Sequence, residues 1–377
     1  MKSKLLTAAL LSLCTLLLLA GCSQPSGEQA PEAQPLPDLV IGYTFSNHHE
    51  PILVAASMGD AFADRGVYLR EVIERERYIL IVDGNERANI ELVVAGTGGE
   101  VVTMMEMGHV NMGFKSIGLP MSSIDQGASM RVLGPVHVDG FGLIASHEVP
   151  AENFDEFVAF VQAQELPVRI GHHQPNNSAV ILFMESCRLL GLSVTEDPTD
   201  LTADILMVNM RGLANLIPAI DSGEVDAWIG PSPFPEMAVL NDVGNLIIDL
   251  KDLPPGGRWT DFPCCVFSAT NATLDEHREI VEYLYKLLTI SAEFANGNRD
   301  VAGRISADWT GVLEEAAINT MTVFSTDVTQ SWLDHAALTL SVLQADGTIS
   351  GAFEGRDLSE IMDELFDLSV FENARNR

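Results

Sequence analysis

Two pairs of adjacent histidines, His48-His49 and His172-His173, are the residues here best placed to do chemistry. Each pair follows a short apolar run containing one glycine: Leu39-Val40-Ile41-Gly42-Tyr43 for the first, Val168-Arg169-Ile170-Gly171 for the second. Polar residues surround them, Ser46 and Asn47 before the first pair and Asn176, Asn177 and Ser178 after the second. Uncharged imidazoles both donate and accept hydrogen bonds, which suits orientation of a polar or anionic solute. Rings facing each other across a cleft could instead hold a transition metal. Neighbouring side chains on an extended loop point opposite ways, so each pair is expected to offer one ring, making His48 and His172 the metal candidates.

Thr97-Gly98-Gly99 forms a second group, where glycines let a ligand approach backbone N–H groups closely, as an oxyanion requires. Lys115, Ser116 and Arg211 follow other short apolar runs and add a hydroxyl and two cations. Cys264-Cys265 could close a vicinal disulfide, pair with Cys187, or pack as small hydrophobes, the last being the expected state. Met104, Met105, Met107, Met112 and Met121 suggest copper by composition, but their spacing fits a buried helix face better. The chain lacks a Gly-x-Ser-x-Gly elbow, a His-Glu-x-x-His helix and a Walker-type loop. Binding without catalysis is therefore expected, with no cofactor.

Apolar runs at strand length alternate with stretches at helical spacing. Strands are expected near 39–43, 67–69, 90–95, 110–114, 168–171 and 204–209, with helices over 52–65, 100–106, 178–190 and 211–221. Such alternation implies an α/β protein with a mainly parallel sheet. The order recurs: Met107-Gly108-His109-Val110-Asn111 and Ser222-Gly223-Glu224-Val225-Asp226 each place a glycine after a helix and a Val-Asn/Asp step before a strand. Two similar α/β lobes are therefore expected. Residues 140–146 and 227–232 read as crossings between them, and strands at 246–250 and 264–269 read as rejoining the first. Helices over 275–295, 299–308, 313–324, 330–344 and 357–366 follow.

In open α/β sheets, the loops after the strands line the crevice. The cleft candidates are therefore Ser46, Asn47, His48, His49, Thr97, Gly98, Gly99, Lys115 and Ser116 from one lobe, and His172, His173, Asn176, Asn177, Ser178 and Arg211 from the other.

The N-terminus adds an address. Lys2 and Lys4 precede an apolar stretch, and Leu19-Ala20-Gly21-Cys22 resembles a bacterial lipobox. This implies a signal peptide over 1–21, acylation at Cys22 and a Pro/Gln/Ser-rich tether over 22–38. The formal charge is −32, and −34 without the two signal-peptide lysines, which argues against nucleic-acid binding.

Taken in order, the segment 41–43, Val54-Ala55, Asp64-Arg65-Gly66, Gly96 to Gly99, the two glycine turns and Asp261-Phe262-Pro263-Cys264-Cys265-Val266 resemble the solute-binding proteins of ABC importers. Within these the nitrate/sulfonate/taurine group is the nearest match, with the thiamine-pyrimidine binders as relatives. The resemblance implies a type II-like periplasmic-binding-protein fold, with lobe II (143–231) inserted in lobe I (39–142 and 232–377) and a helical C-terminal segment. It also implies an exported, lipid-anchored monomer that delivers a small polar solute, of the oxyanion or sulfonate kind, to a permease and its ATPase. A metal-binding lipoprotein and a sensor without a transporter are the alternatives.

Overall fold

The computed structural model describes residues 35–175 and 177–377. The expected signal peptide, Cys22, the tether up to residue 34 and Asn176 lie outside the described residues. No helix among the described residues is long and apolar enough to cross a membrane.

Leu36–Arg377 forms one compact unit containing two mixed sheets. Thirteen strands build them: β1 (Asp38–Thr44), β2 (Val67–Ile73), β3 (Arg77–Val82), β4 (Asn85–Ala95), β5 (Met112–Ser116), β6 (Met130–Pro135), β7 (Phe141–Ala145), β8 (Val168–His172), β9 (Val194–Thr195), β10 (Ile205–Asn209), β11 (Ala227–Pro231), β12 (Asn245–Asp249) and β13 (Cys265–Thr270). The first sheet runs β2-β3-β4-β1-β5-β13-β6 and the second β12-β7-β11-β8-β10-β9. The centre of each is parallel, β4-β1-β5 in one and β11-β8-β10 in the other. Antiparallel strands complete both, because β2-β3-β4 is a meander and β13 and β7 run against their neighbours.

The repeated turn does the same work in both sheets. Gly108 (φ 74°) and Gly223 (φ 70°) end their helices in the left-handed region. Three residues on, the Asn111 carboxamide oxygen accepts the Val40 N–H at the start of β1, 2.8 Å away. The Asp226 carboxylate accepts the Arg169 N–H at the start of β8, also at 2.8 Å. The Asn/Asp step thus fastens β5 to β1 and β11 to β8 at matching registers.

Four expectations change. The strand expected at 246–250 to rejoin the first lobe is β12, which pairs antiparallel with β7 in the second sheet, Asn245 opposite Ala145. The second sheet therefore takes in chain past 231 to the end of β12, and the chain passes between sheets over 136–140 and again over 250–264. The expected crossings at 140–146 and 227–232 are β7 and β11, both interior strands of the second sheet. The helix expected over 313–324 is only Glu314–Ile318, after which 320–329 runs largely extended. Its partner is β-like: Val138 and Val323 exchange backbone hydrogen bonds at 2.9 and 3.3 Å. The helix expected over 52–65 is regular only through Glu50–Met58, then tightens to 3₁₀ turns before Gly66.

Close packing around β5 leaves no room for a side chain at Gly113. A Cβ there would stand 2.5 Å from Val101 Cγ1 and 2.9 Å from the Gly42 carbonyl oxygen. Backbone on one side cannot yield as a side chain can, so Gly113→Ala should destabilise by about 2–3 kcal/mol. A urea midpoint unchanged from the parent would show that β1 and β5 separate easily.

Candidate functional site

The register of the parallel strands assembles the site. Thr44 lies opposite Ala95 across β1 and β4, so the loops that follow, 45–49 and 96–98, emerge side by side. β5 ends one strand further at Lys115 and Ser116. β8 and β11 bring His173, Gln174, Asn177, Ser178 and Pro231 from the second sheet to face them. Between the two faces lies a cavity of about 80 Å³, lined from one side by Thr44, Ser46, His48, His49, Gly96, Thr97, Gly98, Lys115, Ser116, Cys264 and Cys265. Phe141, His173, Gln174, Asn177, Ser178, Gly212, Leu213 and Pro231 close the other side. A single water needs roughly 10–15 Å³ on this measure, so the space suits a solute of a few heavy atoms.

Ten expected residues line this cavity: Ser46, His48, His49, Thr97, Gly98, Lys115, Ser116, His173, Asn177 and Ser178. Four do not. Asn47 is fully buried with both carboxamide atoms unpartnered. Gly99 lies one residue further into the helix Gly98–Glu106. Arg211 is exposed on its loop, its N–H held by the Asn209 carboxamide at 2.9 Å, while its neighbours Gly212 and Leu213 reach the cavity. The buried His172 turns Nδ1 to the Gln174 carbonyl oxygen, 2.9 Å away. The expected opposition of His48 to His172 is not the cluster formed: His48 stands instead with His137, Cys264 and Cys265. Nor does the first pair offer one ring only. Residues 47–49 form a 3₁₀ turn, not an extended loop, and both rings reach the cavity.

Two helices begin at the cavity, one from each lobe. Thr97 caps Gly98–Glu106 by accepting the Glu100 N–H at 3.2 Å. Asn177 caps Ser178–Leu189 by accepting the N–H groups of Ala179 and Val180 at 3.0 and 3.2 Å. Those side chains are engaged in capping, so what the helix starts can present to a solute is backbone N–H. The Glu100 carboxylate already takes the Gly96 N–H at 2.6 Å, which tempers the first of these termini. A hydroxyl chain joins the lobes beside them. Ser178 Oγ donates to the Pro263 carbonyl at 2.7 Å, so the Ser116 hydroxyl, 3.1 Å away, is the donor to Ser178.

Lys115 is the cation of the site and is wholly buried. Burial pushes its pKa down to about 7. Its ammonium contacts Met105 Sδ at 3.1 Å and donates to the Gly113 carbonyl at 3.2 Å, leaving one N–H. Met105, Met112 and Met121 are core residues and Met107 is exposed, but they share no helix face: Met105 lies in the helix Gly98–Glu106, Met112 on β5 and Met121 in the helix Gly118–Asp125. Near Lys115, His173 and His137 are neutral at pH 7. Burial together with His172 and His48 pushes His173 down to about 3, and burial with His48 pushes His137 down to about 4. Thr44 N–H donates to His49 Nδ1 at 3.0 Å, and His48 Nε2 donates to the Gly140 carbonyl at 3.1 Å, so both rings carry the proton on Nε2.

The cysteines are free thiols. Cys187 packs in the core, where burial pushes its thiol up to about 12. Cys264 and Cys265 have their sulfurs 3.7 Å apart, with Cys264 Sγ 3.4 Å from His48 Nδ1. The contact between the sulfurs holds the Cys265 thiol well below its ordinary value, and burial pushes Cys264 well above it. These two, with Phe141, Gln174 and Pro231, went unmarked as cleft residues. An antiparallel strand brings its beginning, not its end, to the edge where parallel strands finish. Cys265 thus pairs with Ser116, and Phe141 with Pro231.

A model of the NMT1-like family matches residues 32–309. The chain belongs to the NMT1-like family. Over 145 residues this NMT1-like protein is 29% identical to the uncharacterised protein MJ1180 of Methanocaldococcus jannaschii, covering 38% of this chain and 94% of that one. Solved structures share its fold at lower identity. The ligand-binding component of an ABC-type import system from Staphylococcus aureus, with zinc bound, superposes with a TM-score of 0.68 at 14% identity, over 90% of this chain and 99% of that one. The periplasmic nitrate-binding protein NrtA of Synechocystis PCC 6803 gives 0.65 at 12%, over 90% and 89%. The alkanesulfonate-binding protein SsuA of Xanthomonas axonopodis pv. citri, bound to MOPS, gives 0.60 at 16%, over 84% and 96%. The two-lobed periplasmic-binding-protein fold is thereby established for this chain.

Proposed function

We propose that this NMT1-like protein is the solute receptor of an ABC importer, exported, held to a membrane by lipid on Cys22, and closing on a small anion. One observation carries the choice of solute. In a chain of net charge −32, no carboxylate among the described residues lines the cavity, whereas Lys115, three histidines, three serine hydroxyls and two helix starts do. A compact oxyanion or sulfonate headgroup, accepting hydrogen bonds on all sides, matches that lining. The overall field does not forbid it, since charges beyond about 8 Å are screened while donors act at contact.

Both lobes contribute donors, so only the closed arrangement offers the full set, and a solute that uses it shifts the equilibrium toward closure. A permease that recognises the closed pair of lobes would then receive loaded receptor preferentially. The lipid on Cys22 would keep that receptor within reach of its partner.

A thermal-shift panel of nitrate, bicarbonate, sulfate, short sulfonates, amino acids and pyrimidines tests the reading. A true ligand at a hundred times its Kd should stabilise by about 2.7 kcal/mol. Stabilisation by a cationic or neutral solute alone would overturn the anion assignment, and silence across the panel would overturn the receptor reading.

A further inference from the structure

At the floor of the cleft, four side chains converge from three separate stretches of chain. His48 lies on the loop after β1, His137 on the 136–140 crossing, and Cys264 and Cys265 where the 250–264 crossing enters β13. Each offers one ligand-capable atom, and those atoms lie within 4.8 Å of one another. All four residues are buried, their exposures being 3, 0, 4 and 7% in that order. We propose that His48, His137, Cys264 and Cys265 form a tetrahedral Cys₂His₂ site for a thiophilic divalent cation of the zinc class, which fastens the two interlobe crossings to the first lobe.

The distances are those of ligands around one centre. With metal–sulfur bonds of about 2.3 Å and metal–nitrogen bonds of about 2.0–2.1 Å at tetrahedral angles, two sulfurs stand about 3.8 Å apart and a sulfur and nitrogen about 3.6 Å. The Cys264–Cys265 sulfurs are 3.7 Å apart, and Cys264 Sγ is 3.4 Å from His48 Nδ1. A disulfide would need about 2.05 Å.

The surroundings also fit. His48 donates Nε2–H to the Gly140 carbonyl, which leaves the Nδ1 lone pair turned to the sulfurs. Ligating histidines are commonly fixed this way, through a hydrogen bond from the other ring nitrogen to a backbone carbonyl. His137 lies beside His48, ring centroids 4.1 Å apart, with Nδ1 fully buried and unpartnered. Its Nε2 takes only a long hydrogen bond, 3.3 Å, from the Cys265 amide. That long bond is the one a cation would replace, taking the Nε2 lone pair while the ring keeps its proton on Nδ1. Two thiolates would neutralise a divalent cation, so the filled site buries no net charge, and binding displaces the thiol protons.

The role follows from the count and the positions. Four protein ligands complete a tetrahedral shell, leaving no open place for a solute or a reacting water. The cation is thus a fastener and not the cargo. It would join 136–140 and 250–264, the two crossings over which the sheets must move relative to each other. Filling the site should therefore stiffen the hinge and favour closure.

The test uses the full chain in detergent, reduced and stripped of metal, titrated with Zn²⁺ against a chromophoric chelator and separately with Co²⁺. One equivalent of Zn²⁺ should bind. The cobalt form should show the intense visible bands of a tetrahedral centre together with thiolate charge transfer. Cys264→Ser and Cys265→Ser should each weaken Zn²⁺ by more than about a hundredfold, since loss of an outer-shell partner alone costs 10–100-fold. His147→Ala, at an exposed histidine outside the cluster, should leave it unchanged. The cobalt spectrum of the parent stands whether or not a variant folds. Failure to take up an equivalent of Zn²⁺, a cobalt spectrum without thiolate charge transfer, or a double serine variant that binds as tightly as the parent would each overturn the site. A solute-dependent thermal shift that persists in any of those cases leaves the receptor reading intact.

Discussion

Replacing Lys115 with methionine should weaken binding of an anionic solute by about 30- to 1000-fold, while making the unliganded protein more stable. The ammonium is wholly buried, and its two partners, a thioether and a carbonyl, carry no charge. In the complex it would pair with the anion in a water-poor site, where losing one member of a buried charge pair typically costs 2–5 kcal/mol. Without solute the same charge is a burden, and exchanging buried ionic groups for well-packed apolar ones often stabilises by about 1–4 kcal/mol. Isothermal titration and urea melts of parent and Lys115→Met read the two effects. Unaltered anion affinity in the variant would remove Lys115 from the site.

The pH dependence has opposite signs for binding and for stability. The free protein holds Lys115 with a pKa of about 7. Anion affinity should therefore be full below that value and fall by up to tenfold per pH unit above it, as the ammonium must be protonated again to bind. For stability, an unfolded lysine titrates near 10.4. Between about 7 and about 10 the unfolded chain holds the proton that the folded chain has released, so this group makes stability rise with pH across that window. The methionine variant should lose that rise, and its advantage over the parent should be greatest below pH 7.

Asp125→Ala should cost about 3–4 kcal/mol of stability, among the larger effects expected away from the cleft. Asp125 ends the helix Gly118–Asp125, and the chain at 350–353 wraps around its carboxylate. That carboxylate accepts N–H groups from Ser350 at 3.1 Å, Gly351 at 2.9 Å and Phe353 at 2.7 Å. The residue is 3% exposed, so removing the side chain leaves buried donors without an acceptor, and hydrogen bonds to charged groups are worth roughly 1.5–3 kcal/mol each. Asp125→Asn keeps one acceptor and should fall between parent and alanine. Solute binding should be intact in folded protein, since none of these residues lines the cavity. A denaturant midpoint unshifted in Asp125→Ala would mean that the 350–353 turn holds itself.

By itself the sequence determined the local code. Apolar spacing placed β1, β4, β5, β8 and β10 and most helices. The two glycine turns marked the repeated unit whose Asn111 and Asp226 fasten equivalent strands. The rule that loops follow parallel strands into a crevice located ten of the cavity's residues, because that rule depends only on strand direction.

Only the tertiary structure decided which strands run against the rest. β12 looks like any apolar strand, and nothing within Asn245–Asp249 says that it will pair with β7 rather than return to the first sheet. The same ignorance hid Phe141, Cys264 and Cys265, which reach the cleft at the starting ends of antiparallel strands, and His137 packed behind them. Long-range pairing also set the chemistry of individual groups. A lysine, two cysteines and the histidines His137 and His173 have ordinary properties in the chain, and burial gives a neutral-prone amine, two neutral imidazoles and two sulfurs at ligand spacing. Spacing along a sequence encodes faces and turns; the dielectric and the neighbours that fix a pKa or a coordination shell exist only once distant segments have met.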